Sequence, residues 1–183
     1  MKKHTLAFID LETTGLDPTI HEIIEIGCIL ARQTQRPGRG PLVEKIEEFD
    51  IKVKPEHIET ATPEALRINK YSEGEWLFAG TLEQAITSLA PKISGAVLVG
   101  QNTPFDLSFL EVAFKKVGVP LDINIFKIDI VSLAFARYYD DESMQRFGNY
   151  TLCERLGIKN EQAHTALSDI RASFEVYKKL LGA

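Results

Sequence analysis

The chain has 183 residues, 44% of them hydrophobic and 26% charged, with a formal charge of −5. That length buries a core without disulfide or metal staples, and a total of two cysteines, Cys28 and Cys153, excludes a disulfide scaffold. The negative charge sets the chain apart from the usual nucleic-acid binder, which holds phosphates on a basic face.

Thr5 to Asp10 is an apolar, β-leaning run. It stops too early for a signal peptide, and no apolar run approaches the roughly 18 residues of a membrane span. A cytoplasmic protein with no membrane partner is therefore expected. Glu22 to Ala31 is a second strand-like run, rich in Ile, and Lys45 to Val53 a third. Gln33 to Pro41, with its glycines and prolines, reads as the loop of a hairpin between them. Thr62-Pro63-Glu64 predicts a short helix to about Asn69, with Thr62 as cap and Pro63 in the first turn. Thr81 caps a predicted helix through Leu82, Ile86, Leu89 and Ile93, with Pro91 near its end. Ala96 to Gly100 is short and wholly apolar, which predicts a buried strand. Pro104 opens a helix through Leu107, Leu110, Val112 and Val117, closed by Gly118. Ile123 to Ile130 predicts a strand, Val131 to Tyr138 a helix, and Asn149 to Leu156 another, closed by Gly157. Leu167, Ile170, Phe174, Tyr177 and Leu181 make the stripe of an amphipathic helix. The expected fold is α/β: one domain over residues 1–183, with a mixed central sheet of about five strands, the first three antiparallel, flanked by helices.

Asp10 and Glu12 lie two apart at the end of the first strand, so both point to one side and can converge on a divalent cation. Spacing alone is weak: chance supplies roughly four such acidic pairs. The others are Glu48/Asp50, Glu73/Glu75 and Asp140/Glu142, which read as solvated faces. Asp10 differs because it ends a strongly apolar strand, where a carboxylate needs a cation or a set of donors. No lysine or arginine lies between Lys3 and Arg32 to pair with it locally. Asp106 follows the buried strand in the first turn of the next helix, at the carboxyl end where sites gather in open sheets. Its bland alternative is to complement the helix dipole. His164 and Asp169 are five apart, an arrangement expected about 0.2 times by chance. Roughly 140° separates them on an ideal helix, so His164 belongs at the helix start or on the loop before it. His4, His21 and His57 read as surface residues, and the cysteines as small core hydrophobes. No phosphate loop, zinc pattern or nucleophile elbow is present.

Together these pieces resemble the DEDDh (DnaQ-like) family of 3′–5′ exonucleases, which has an RNase H-like fold. Phe8-Ile9-Asp10-Leu11-Glu12-Thr13-Thr14-Gly15-Leu16 is similar to its first motif, Val99 to Leu110 around Asn102-Thr103-Pro104-Phe105-Asp106 to its second, and His164 to Ala172 around Asp169 to its third. Thr165 stands where the tyrosine-type sister family has Tyr, and Gln101 where this family usually has His. The resemblance implies that Asp10, Glu12, Asp106 and Asp169 bind two Mg²⁺ or Mn²⁺ ions. It implies that His164 is the general base on a water held by the ions, at the 3′ end of single-stranded DNA or RNA, releasing nucleoside 5′-monophosphates. Thr13, Thr14 and Leu16, with the backbone after Glu12, would hold the terminal nucleotide. Leu16 and Phe105 would pack on bases, and Asn102 would support the second-motif loop beside the substrate.

Two divalent ions would bring the formal charge to about −1, which weakens the electrostatic objection. Arg32, Arg36, Arg39, Lys115 and Lys116 could guide a strand, or serve solubility alone. The family spans DNA polymerase III epsilon-like proofreaders, RNase T and oligoribonuclease, so DNA and RNA both stay open. With 14 residues after Asp169, a free-standing enzyme or a detached homologue is expected; polymerase association stays open without support in the sequence, and so does a homodimer, because several family members are dimers. The alternatives are a catalytically silent binding module of the same fold and a nucleotide phosphohydrolase.

Overall fold

The computed structural model describes residues 4–160 and 165–182. Strands β1 (Thr5–Thr13), β2 (Ile23–Arg36) and β3 (Arg39–Lys52) come first and pair antiparallel. Helices α1 (Pro63–Ile68) and α2 (Leu82–Ile93) lead to strand β4 (Val97–Gly100), and α3 (Thr103–Val117) leads to β5 (Lys127–Asp129). Helices α4 (Ile130–Arg137), α5 (Asn149–Leu156) and α6 (Ala166–Leu180) complete the chain. The sheet order is β3-β2-β1-β4-β5, with β4 parallel to both β1 and β5. The expected mixed sheet of five strands, antiparallel in its first three, is what forms.

Strand alternation sorts the core into two layers. Leu6 and Phe8 of β1 and Ile29 of β2 face α4, α5 and α6, where Phe8 meets Phe174 and Tyr177 edge-on at 5.1 and 5.2 Å. Ala7, Ile9 and Leu11, with Ile26 and Cys28, face α2 and α3. Each fully buried Ile, Leu or Phe stabilises the fold by about 1.5–3 kcal/mol. Both cysteines are buried and unpaired, as small hydrophobes.

The caps behave as expected. Thr62 Oγ1 accepts from the Ala65 N–H, and Thr81 and Gln84 form a reciprocal capping box. Pro91 is accommodated within the last turn of α2.

Two expectations fail. Residues 33–41 are not a loop: β2 and β3 continue as a two-stranded arm to the pair Arg36 and Arg39, closing on Pro37-Gly38 with Gly38 at φ 69°. Pro41 is tolerated because β3 is an edge strand. Gly40 is needed because a Cβ there would lie 1.9 Å from the Gly182 carbonyl oxygen, so the arm rests on the end of the chain. The predicted strand from Ile123 to Ile130 shrinks to Lys127–Asp129. Ile125 and Phe126 are exposed rather than core, and the Asp129 carboxylate accepts from the Val131 N–H, which starts α4 at once. No helix among the described residues is long and apolar enough to cross a membrane.

Candidate active site

β1 and β4 run side by side in parallel in the middle of the sheet, so their carboxyl ends open at the same end of it. Asp10 and Glu12 continue the Leu6-Phe8 alternation and so point to the α6 side. Asp169 sits in the first turn of α6 and faces them: one oxygen from each of Asp10, Glu12 and Asp169 lies within 4.8 Å of the others. Asp106 arrives from the opposite layer, on α3. It is buried, and its Oδ1 accepts from the Leu11 N–H at 3.1 Å, locking it against the strand between Asp10 and Glu12. The structure thus gathers the carboxylates singled out in the sequence.

They repel one another. Burial, followed by the charges of Asp106, Glu12, Asp169 and Glu25, holds Asp10 well above the usual carboxylate range. Burial, followed chiefly by Asp169, pushes Glu12 up to about 8, with Lys70 pulling the other way. Burial lifts Asp106 to about 8 against the bond from Leu11. Carboxylates drawn together in this way supply hard oxygen donors, the chemistry that fits divalent cations of the Mg²⁺ or Mn²⁺ kind.

Two cavities flank the cluster. One, of about 390 Å³, is lined by Glu12, Thr13, Leu16, Ala65, Asn69 and Phe105. It brings the predicted Leu16 and Phe105 together, with Leu16 82% exposed. The hydroxyls of Thr13 and Thr14 turn inward: Thr13 Oγ1 donates to the Gly15 carbonyl and Thr14 Oγ1 accepts from the Glu22 N–H. They build the turn, and Asn69 ties it down by donating to the Thr13 carbonyl. The other cavity, of about 350 Å³, is lined by Asp10, Gln101, Asn149, Tyr150, Asn160 and Asp169. Gln101 Nε2 donates to the Phe147 carbonyl at 2.6 Å. Asn102 lines neither cavity; it is exposed at φ 63°, and its N–H reaches Asp129 Oδ1 at 3.3 Å. His164 lies outside the described residues. On either side of it, Asn160 Nδ2 donates to Asp169 Oδ1 at 2.6 Å, and Thr165 Oγ1 caps α6 by accepting from the Ser168 N–H.

Several contributors escaped the sequence reading. Glu25, opposite Glu12 in the β1–β2 register, is 3% exposed and accepts from the Ala166 N–H at 3.1 Å. Burial and the neighbouring Asp50 push it up to about 7, and the two carboxyls share a hydrogen bond. Of the Glu48/Asp50 pair, Asp50 is exposed and Glu48 is part-buried and meets Arg171 at 2.6 Å. Two places further along β2, a Cβ on Gly27 would lie 2.3 Å from the Ala166 carbonyl carbon. Glu25 and Gly27 thus press the start of α6 onto the sheet. The clue was a carboxylate in the apolar run Ile23-Ile24-Glu25-Ile26. The cation near Glu12 is Lys70, held at φ 53°, supplied from far along the chain. Of the cations suggested as guides, Arg36 bonds the Gly40 and Pro41 carbonyls, and Lys116 pairs with Glu56 at 2.8 Å. His57 is on the surface as expected, where it meets Glu59 at 3.1 Å.

A family model described as an exonuclease, RNase_T, matches residues 7–177. The chain belongs to this exonuclease family. Over 182 residues it is 33% identical to the DNA polymerase III PolC-type of Thermotoga maritima, and over 188 residues 29% identical to that of Thermotoga petrophila. Each match takes in 97% of this chain and 12% of the polymerase, so the chain spans a small part of these relatives. Among solved structures it is similar to E. coli exonuclease I in complex with a dT13 oligonucleotide, with TM-score 0.79 and 18% identity over 97% of this chain and 41% of that one. A 3′-exonuclease in a structure of 3′-end specific recognition of a histone mRNA stem-loop gives TM-score 0.72 and 17% identity, covering 98% and 64%. The chain has the RNase H-like α/β fold expected of it.

Proposed function

We propose that this exonuclease works in the 3′–5′ direction on single-stranded nucleic acid and releases nucleoside 5′-monophosphates. The observation that carries the proposal is the convergence of Asp10, Glu12, Asp106 and Asp169 from both layers of the fold at the carboxyl ends of β1 and β4, beside a cavity of about 390 Å³ lined by Leu16 and Phe105. These four residues would hold two divalent cations, Mg²⁺ or Mn²⁺, which when bound stabilise the charge on the attacking and leaving oxygens. Leu16 and Phe105 pack on the last base and sugar. Glu12 lines the same cavity, which sets the last phosphodiester against the cluster. Leu11 N–H fixes Asp106 and Asn160 fixes Asp169, so neither carboxylate must be reoriented when the strand arrives. His164, one residue before the α6 cap, takes the proton from the attacking water.

Oligonucleotide-bound exonuclease I favours a single-stranded substrate, and the PolC relatives favour a proofreading setting. The stem-loop recognised by the 3′-exonuclease keeps RNA in play. The test uses 5′-labelled and 3′-labelled strands of DNA and RNA with Mg²⁺, and with chelator in its place. A 5′ label should shorten as a ladder, and a 3′ label should leave at once as a mononucleotide. Release of the 5′ label first, internal cuts, or equal activity in chelator would refute the assignment.

A further inference from the structure

Beside the cavity that holds Asp10 and Asp169, aromatic side chains form a row. Tyr150, 81% exposed, lines that cavity, and the preceding Phe147 is tied to the cavity wall through the bond from Gln101 to its carbonyl. The Phe147 ring meets Phe135 of α4 at 5.6 Å, and Phe135 meets Tyr139 at 5.6 Å, both edge-on. Phe135 is 51% exposed and Tyr139 72%. Phe135 lies in the last turn of α4 and Tyr139 in the turn that follows it, and the ring contact brings the two side chains together.

We propose that this row is a stacking ledge for about two bases of a single strand, further upstream of the bond to be cut than a trinucleotide reaches. The proposal rests on the nuclease reading above and extends it to the body of the strand. Three observations select this occupant. The row adjoins the cavity of Asp10 and Asp169 through Tyr150 and the Gln101–Phe147 bond, so a strand whose last nucleoside lies in the Leu16 and Phe105 cavity can run on over it. It is built of rings, and every base offers a π-face whatever the sequence. Its nearby charge sums to about zero, with Arg137, Arg146 and Arg155 set against Asp140, Asp141 and Glu142 and with Asp141 paired to Arg155 at 2.6 Å.

The test compares the wild-type chain with Phe135→Ala/Tyr139→Ala and with Tyr139→Ala alone. The probes are oligothymidylates of 3 and 12 nucleotides. Two readouts are taken: KM and kcat with Mg²⁺, and fluorescence anisotropy binding with Ca²⁺. Each ring lost should weaken binding of the 12-mer about tenfold, leaving kcat and KM on the 3-mer unchanged. Tyr139→Phe should restore the single variant. Wild-type affinity for the 12-mer in the double variant would overturn the proposal. So would an equal loss on both lengths, or a change in sedimentation with strand affinity intact, which would make the row a protein interface. A wild-type chain that binds the 12-mer through these rings but cuts nothing would sink the nuclease assignment and leave the ledge standing.

Discussion

Glu12→Gln should stabilise the metal-free protein at alkaline pH while abolishing its response to manganese. Glu12 ionises at about 8 in the folded chain against 4.5 as a free side chain, because burial and its acidic neighbours oppose the charge. Below the free value both states are protonated and the group costs nothing. As pH rises, the unfolded chain ionises first, stability falls, and the loss is complete once the folded group has also ionised, above about pH 8. The full shift corresponds to an upper bound of about 5 kcal/mol. Glu12 is half-buried at the mouth of a cavity, where water and salt screen it, so about 2 kcal/mol is the expected gain. For a chain of this length that raises the melting midpoint by about 4–8 °C. Thermal melts from pH 5 to 9 in chelator supply the test. The wild-type midpoint should fall with pH, the Glu12→Gln curve should fall less, and manganese should lift the wild type alone through linkage. A Glu12→Gln protein that melts below wild type at pH 8.5 in chelator would refute the reasoning.

Asp10→Ala should lose both turnover and calorimetric Mn²⁺ binding, whereas His164→Ala should lose most turnover and keep the metal; a near wild-type rate in His164→Ala removes that residue from the mechanism. Activity should fall on the acid side, since a histidine base must be neutral and its reference pKa is about 6.5. Glu25→Ala should loosen the start of α6, seen as faster hydrogen exchange at Ala166 and Leu167 and about a tenfold lower kcat. Glu25→Gln keeps an acceptor for Ala166 and should restore both; a Gln variant as slow as Ala would disprove the positioning role. Gly27→Ala should destabilise by about 1–3 kcal/mol in chemical denaturation, because its methyl must displace the Ala166 carbonyl.

Strand and helix identities were legible wherever the apolar period matched burial, as in the Phe8, Ile29 and Phe174 contacts of one layer. Asp10 and Glu12 could be placed on one face because strand alternation is local. Asp106 could be flagged by its position after a buried strand, but its bond to Leu11 joins residues 95 apart, and no local pattern encodes that. Glu25 hid in plain view because its partners, Asp50 and Ala166, lie on other elements. The arm was misread because Gly40 and Pro41 serve a close approach and an edge rather than a loop, and Ile125 and Phe126 because an exposed apolar residue looks like a buried one in sequence.

The acidic cluster draws one member from α3 on one side of the sheet and another from α6 on the other. A nascent chain with only one helical layer docked therefore lacks one of the four carboxylates. Under the proposed activity, cleavage competence would be among the last properties acquired during folding. Half-made molecules would then pose no hazard to the cell's own nucleic acids.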